Sequence, residues 1–142
     1  MTITRAFDGM IPLRTDTLIE ERVSDLIGRA NLRQLWLLFL DHNGVQLPLL
    51  IPINGLPTRP TEEDTSRVVD NVAEVMGVIG ATALVVVWER YGPAHLSDDD
   101  TRWVRSLAKA CGAVRLPLRA MLLSHRKGVR WIAADDYLGS ID

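Results

Sequence analysis

Thr82-Ala83-Leu84-Val85-Val86-Val87-Trp88-Glu89-Arg90 is the stretch that decides the fold. Its apolar run shows no alternation with polar residues, the pattern of a strand covered on both faces, and such strands lie centrally in sheets flanked by helices. A loop over residues 89–96 leads to Ser97-Asp98-Asp99-Asp100, a hydroxyl and three acids of the kind that open a helix. From there Trp103, Val104, Leu107, Ala108 and Cys111 recur at helical spacing until Gly112.

Working upstream, the sequence predicts a helix over residues 61–79. Thr61-Glu62-Glu63-Asp64 supplies its cap and acidic first turn, Gly80 its stop, and the wide apolar face from Val68 to Ile79 marks it as core. Before it, Gln34 to Leu40 and residues 45–53 are two apolar runs around Asp41-His42-Asn43-Gly44, which reads as a β-hairpin. Pro48 and Pro52 are an even number of residues apart, so their missing N–H groups fall on one side of the second run and make it an edge strand. An earlier helix starts at Thr15 or Asp16 and runs to about 29–31, with Leu18, Ile19, Val23, Leu26 and Ile27 on its apolar stripe. Downstream, residues 116–124 and 129–133 form a closing hairpin around Arg126-Lys127-Gly128.

The order α-β-β-α-β-α-β-β predicts a three-layer α/β/α sandwich on a mixed sheet, formed by one domain over residues 1–142. Residues 1–14 are expected to be irregular and residues 135–142 a surface tail. Right-handed crossover places the first strand between its hairpin partner and the central strand.

Composition narrows the class. Apolar residues make up 47% and charged residues 24% of 142 positions, a globular balance. Cys111 is the lone cysteine, which rules out an internal disulfide and a cysteine-rich zinc cage and favours a reducing, cytoplasmic location. Neither a signal peptide nor a membrane span is expected, because the longest apolar runs are strand-sized. The net charge of −2 argues against generic nucleic-acid binding. Its distribution is uneven, however: residues 101–131 contain no Asp or Glu, yet hold Arg102, Arg105, Lys109, Arg126 and Lys127.

Ala83-Leu84-Val85-Val86-Val87-Trp88-Glu89-Arg90 followed by Ser97-Asp98-Asp99-Asp100, with Gly112-Ala113-Val114-Arg115-Leu116-Pro117-Leu118 further on, resembles the JAB/MPN metallopeptidase-like fold, most closely its RadC-like branch. The likeness spans about residues 32–133. In that branch a strand ends in His-x-His-Pro-Ser-Gly and Ser-x-x-Asp opens the next helix. The resemblance implies a zinc ion held by the two histidines and the aspartate, assisted by the serine and a glutamate, in a hydrolase. Here the histidine positions are Trp88 and Arg90, the loop before Ser97 is one residue shorter, and only Ser97 and Asp100 match. Tryptophan does not ligate zinc, and arginine brings a fixed positive charge to a dication's place. The reading is therefore a metal-free domain with no cofactor, whose Ser-x-x-Asp acts as a helix cap. An atypical hydrolase stays open as an alternative.

Other chemistry finds little support. The His-x-Glu and Pro-Cys-x-x-Cys signature of cytidine-deaminase-like zinc enzymes is absent. His42, His95 and His125 are scattered without ligand spacing, and Ser97, His95 and Asp100 lie too close along the chain for a triad. Three binding readings remain. Trp88, Glu89, Arg90, Tyr91, His95, Ser97 and Asp100 surround the place where open α/β sheets take ligands; either they line a small pocket, or Trp88 fills the metal's volume while Arg90 pairs with Glu89, Asp98 or Asp100, the preferred reading. Arg102, Arg105 and Lys109 on one helix face, with Arg126 and Lys127, are candidate contacts to an anion or nucleic acid, although such a stripe is more often simply solvated. The edge strand over residues 45–53 is apolar on both sides, so something should cover it: the 4–13 segment with Phe7, Met10, Ile11 and Leu13, or a second copy in a homodimer. The expected function is protein interaction through a partner the sequence does not name.

Overall fold

A computed structural model describes residues 11–138. The elements are α1 (Asp16–Leu26), β1 (Gln34–Leu40), β2 (Gln46–Asn54), α2 (Glu62–Ile79), β3 (Ala83–Glu89), α3 (Asp98–Ala113), β4 (Leu118–His125), β5 (Gly128–Trp131) and α4 (Ala134–Leu138). The sheet order is β2-β1-β3-β4-β5, with β3 and β4 parallel and the other neighbours antiparallel. It is the expected α/β sandwich on a mixed sheet. β1 lies between β2 and β3, and the proline-bearing β2 is an edge.

Topology explains the layers. β2 to β3 through α2 and β3 to β4 through α3 are parallel connections that advance in the same direction across the sheet, so one handedness puts both helices on one face. Leu35, Leu37 and Phe39 of β1, Leu84, Val86 and Trp88 of β3, and Met121 and Leu123 of β4 point into that layer. They meet Val69, Val72 and Met76 of α2 and Trp103, Val104, Leu107 and Cys111 of α3. The alternate residues Leu38, Leu40, Val85, Val87, Ala120 and Leu122 face the other way, against Ile19 and Val23 of α1 and against Leu13. Strand side chains alternate between faces, so the unbroken apolar run of β3 feeds both cores at once.

Element ends follow their caps. Thr61 with Asp64, and Ser97 with Asp100, form reciprocal capping boxes at α2 and α3, and Gly80 ends α2 in the left-handed region at φ 76°. α1 stops at Leu26, several residues before the expected end, because Gly28 turns left-handed at φ 68° and donates its N–H to Val23 O. α3 passes through Gly112 and ends at Ala113; Arg115, at φ 57°, takes the left-handed position that the nearby glycine does not.

Leu13 of the irregular 11–14 segment is buried against the α1 face and donates its N–H to Gly44 O in the β1–β2 turn. The part of the proposed cover formed by Thr4 to Met10 lies outside the described residues. The expected surface tail begins instead as α4, whose Tyr137 packs on the α3 layer and whose carbonyl at that residue accepts from Arg105. Among the described residues, no helix is long and apolar enough to cross a membrane.

Candidate functional site

Trp88 and Arg90 are two residues apart at the end of β3, so both side chains project toward α3. They converge on one carboxylate. Trp88 Nε1 donates to Asp100 Oδ1 at 2.8 Å, Arg90 Nε donates to Asp100 Oδ2 at 2.8 Å, and the Ser97 N–H donates to the same Oδ2 at 2.9 Å. Ser97 Oγ in turn accepts from the Asp100 N–H at 3.1 Å. The capping box is thus extended by two side chains from the central strand.

The rest of the Arg90 guanidinium is also engaged. Nη1 donates to Pro93 O at 2.6 Å and Nη2 to His95 O at 2.8 Å, so this one side chain ties β3, α3 and the connecting loop together. Burial is the largest influence on the Asp100 carboxyl and opposes its ionisation. The bonds from Ser97, Trp88 and Arg90, with the Arg90 charge, outweigh it and hold the pKa below the usual carboxylate value.

The Trp88 ring packs against Trp103 and Arg33. Trp103 stacks on it with centroids 5.8 Å apart and planes at 22°, and the Arg33 guanidinium carbon lies 5.1 Å from its centroid. Arg33 is fixed by Leu56 O and Pro57 O, and Trp103 Nε1 donates to Pro57 O, so the loop after β2 braces the pair. Trp88 is 2% exposed, and among the described residues no buried side-chain nitrogen or oxygen lacks a partner.

Glu89 points to the opposite face and forms a separate centre. Its Oε2 accepts from the N–H groups of Asn31 and Leu32, and its Oε1 from Gln34 Nε2 and Trp36 Nε1, at 2.7–3.0 Å. All four donors are neutral. Burial, the largest influence, raises this pKa, while the four bonds lower it further than burial raises it. A carboxylate satisfied in this way anchors the α1–β1 connection to the central strand.

The structure therefore divides the sequence-derived candidates. Trp88, Arg90, Ser97 and Asp100 meet; Glu89 is on the other face; Tyr91 and His95 are exposed on the loop. Arg33, Trp103 and Pro57, which no local sequence pattern joins to this site, complete it. The α3 stripe is partly engaged within the chain: Arg105 donates to Tyr137 O and Lys109 lies 3.6 Å from Glu62, while Arg102 is exposed. Arg126 and Lys127 are exposed in the β4–β5 turn, whose backbone meets the 91–96 loop rather than the stripe through the Arg126 N–H to Gly92 O. His42 sits in the β1–β2 turn and lines an open groove with Arg14, Asp41 and Arg119 at the other end of the sheet.

The zinc implied by the resemblance does not fit these residues. Asp100 already takes three donors, the guanidinium of Arg90 stands where a cation would bind, and the described residues contain no group of three or more His, Cys, Asp or Glu placed to hold a metal ion. No protein-family model matches the chain, and no curated protein matches it.

Proposed function

We propose that the chain is a non-catalytic domain of JAB/MPN-like, RadC-like descent that acts by binding protein. The observation that carries this reading is the Arg90 guanidinium locked between Asp100, Pro93 O and His95 O. A positive charge so placed does for the aspartate electrostatically what a metal would do, and it leaves no open coordination position or activated water. The stacked Trp88 ring occupies the neighbouring volume.

Two further features support the relationship. Both substituted positions project to the same face and reach the same helix-opening aspartate, which is the arrangement two histidines and that aspartate need in order to share an ion. The Ser-x-x-Asp pair survives because it has a second use as a cap.

The test is metal content and hydrolysis on the full chain after incubation with zinc. The proposal expects far less than one zinc per chain and no cleavage of an isopeptide-linked substrate. Stoichiometric zinc, with hydrolysis lost in Asp100→Ala, overturns it. The Trp88→His, Arg90→His double variant addresses descent. If the geometry is a former metal site, a folded double variant gains zinc affinity that Asp100→Ala removes; a folded double variant with no affinity contradicts the relationship.

A further inference from the structure

The loop between β3 and α3 is held at four successive carbonyls. Gly92 O accepts from the Arg126 N–H at 2.9 Å, Pro93 O and His95 O accept from Arg90, and Ala94 O accepts from Arg130 Nε. Gly92 adopts φ 151°, and a Cβ at that position would stand 3.2 Å from Arg90 Nη1. The arginine side chain thus lies directly beneath the loop backbone. A loop pinned this way is pre-organised, so a partner that binds it loses little to ordering.

This platform displays Tyr91, 72% exposed and the one exposed Phe, Tyr or Trp among the described residues. Tyrosine offers a large contact area with few rotatable bonds, which is why it recurs at binding hot spots. The Arg126 hydrogen bond to Gly92 brings the β4–β5 turn alongside. Among the described residues, the side chains of Arg126 and Lys127 meet no carboxylate. His125 beside them is held below its ordinary pKa, first by burial and then by the charges of Arg90, Arg130, Arg126 and Lys127, which marks a positive field at this end of the sheet.

We propose that Tyr91, Arg126 and Lys127 form the docking surface for an acidic segment of a partner protein. The inference rests on the reading of the chain as a protein-binding domain and gives that reading a location. Charge complementarity selects the partner's sign, and the layout selects peptide over nucleic acid. A nucleic-acid strand needs a continuing row of cations along its phosphates. Here Asp98 and Asp99 open α3 between the loop and the Arg102 stripe, and Arg105 and Lys109 of that stripe have partners within the chain.

The experiment is fluorescence anisotropy of the full chain with two labelled probes: a twelve-residue Asp/Glu-rich peptide carrying one phenylalanine, and a twelve-nucleotide oligothymidylate. The peptide is expected to bind, more weakly as salt rises. Affinity should fall about tenfold in Arg126→Glu/Lys127→Glu and severalfold in Tyr91→Ala, be kept in Tyr91→Phe, and be unchanged in Arg102→Glu. Because the altered side chains are exposed, thermal melts of the variants should match the parent. No peptide binding, an equal loss in Arg102→Glu, or tighter binding of the oligothymidylate overturns the proposal. Those results leave the zinc measurements untouched, so a wrong surface is distinguishable from a wrong assignment as non-catalytic.

Discussion

Arg90 and Asp100, ten residues apart, form a buried ion pair with Nε 2.8 Å from Oδ2 and side chains 11% and 6% exposed. Removing one member leaves the other charge buried without its counter-charge. Arg90→Ala and Asp100→Ala should each cost about 3–5 kcal/mol. Replacing Arg90 by methionine should cost less than replacing it by alanine only if Asp100 is changed to asparagine at the same time. Urea denaturation of Arg90→Met, Asp100→Asn and their double variant against the parent reads the coupling between the two positions.

Glu89 depends on neutral donors alone, and that gives it a different signature. Trp36→Phe deletes one bond to its Oε1 while keeping an aromatic ring, and should cost about 1.5–3 kcal/mol, as for other hydrogen bonds to a charged group. In a Glu89→Gln background the same change should cost distinctly less. Equal costs in both backgrounds would show that the carboxylate is not what holds the indole.

Acid should destabilise the fold in two stages. His125 is depressed in the folded chain, so the unfolded chain takes up a proton first as pH falls through about 6.5, and stability drops there. Asp100 and Glu89 are also depressed. Their contribution is complete above the ordinary carboxylate value of about 4 and is lost as pH falls through the folded-state values. Denaturation midpoints followed from neutral pH downward should decline in this order, and His125→Gln should remove the first stage only.

Burial pushes the Cys111 thiol up to about 11, and the side chain is 3% exposed on the core side of α3. Its thiolate fraction at neutral pH is negligible. A chromogenic disulfide reagent should leave the native protein unmodified and label one thiol on denaturation; rapid labelling without denaturant contradicts that placement.

Arg115 holds the left-handed position after α3 at φ 57°. Arg115→Gly removes a penalty of about 1–2 kcal/mol and adds an unfolded-state entropy cost of about 0.5–1 kcal/mol, so a small net stabilisation is expected in thermal melts.

The sequence exposed the skeleton well and the contacts unevenly. An apolar run with no alternation marks β3 as central, paired prolines mark β2 as an edge, and two capping boxes fix the starts of α2 and α3, because each signal is local. The neighbourhood of Trp88, Arg90 and Asp100 was legible in part: Asp100 was one of three acids expected to pair with Arg90, while the bond from the Trp88 indole to the same carboxylate was not expected. Other partners were hidden by distance along the chain. Glu89 looked like a pocket residue because two of its donors are backbone N–H groups of the α1–β1 connection, and Gln34 faces it only once the β1–β3 register is set. Arg33 covers Trp88 only after the loop beyond β2 returns to hold its guanidinium. The early end of α1 follows from Gly28 turning left-handed, whereas α3 runs past Gly112 because Arg115 takes the left-handed position there.

The central proposal is that Arg90 and Trp88 stand at Asp100 in place of a metal. Thermal unfolding of the full chain with and without a molar excess of zinc tests it most directly, because an ion bound only by the folded state raises the midpoint. The account predicts the same midpoint in both samples. A zinc-dependent rise of several degrees that Asp100→Ala abolishes contradicts it.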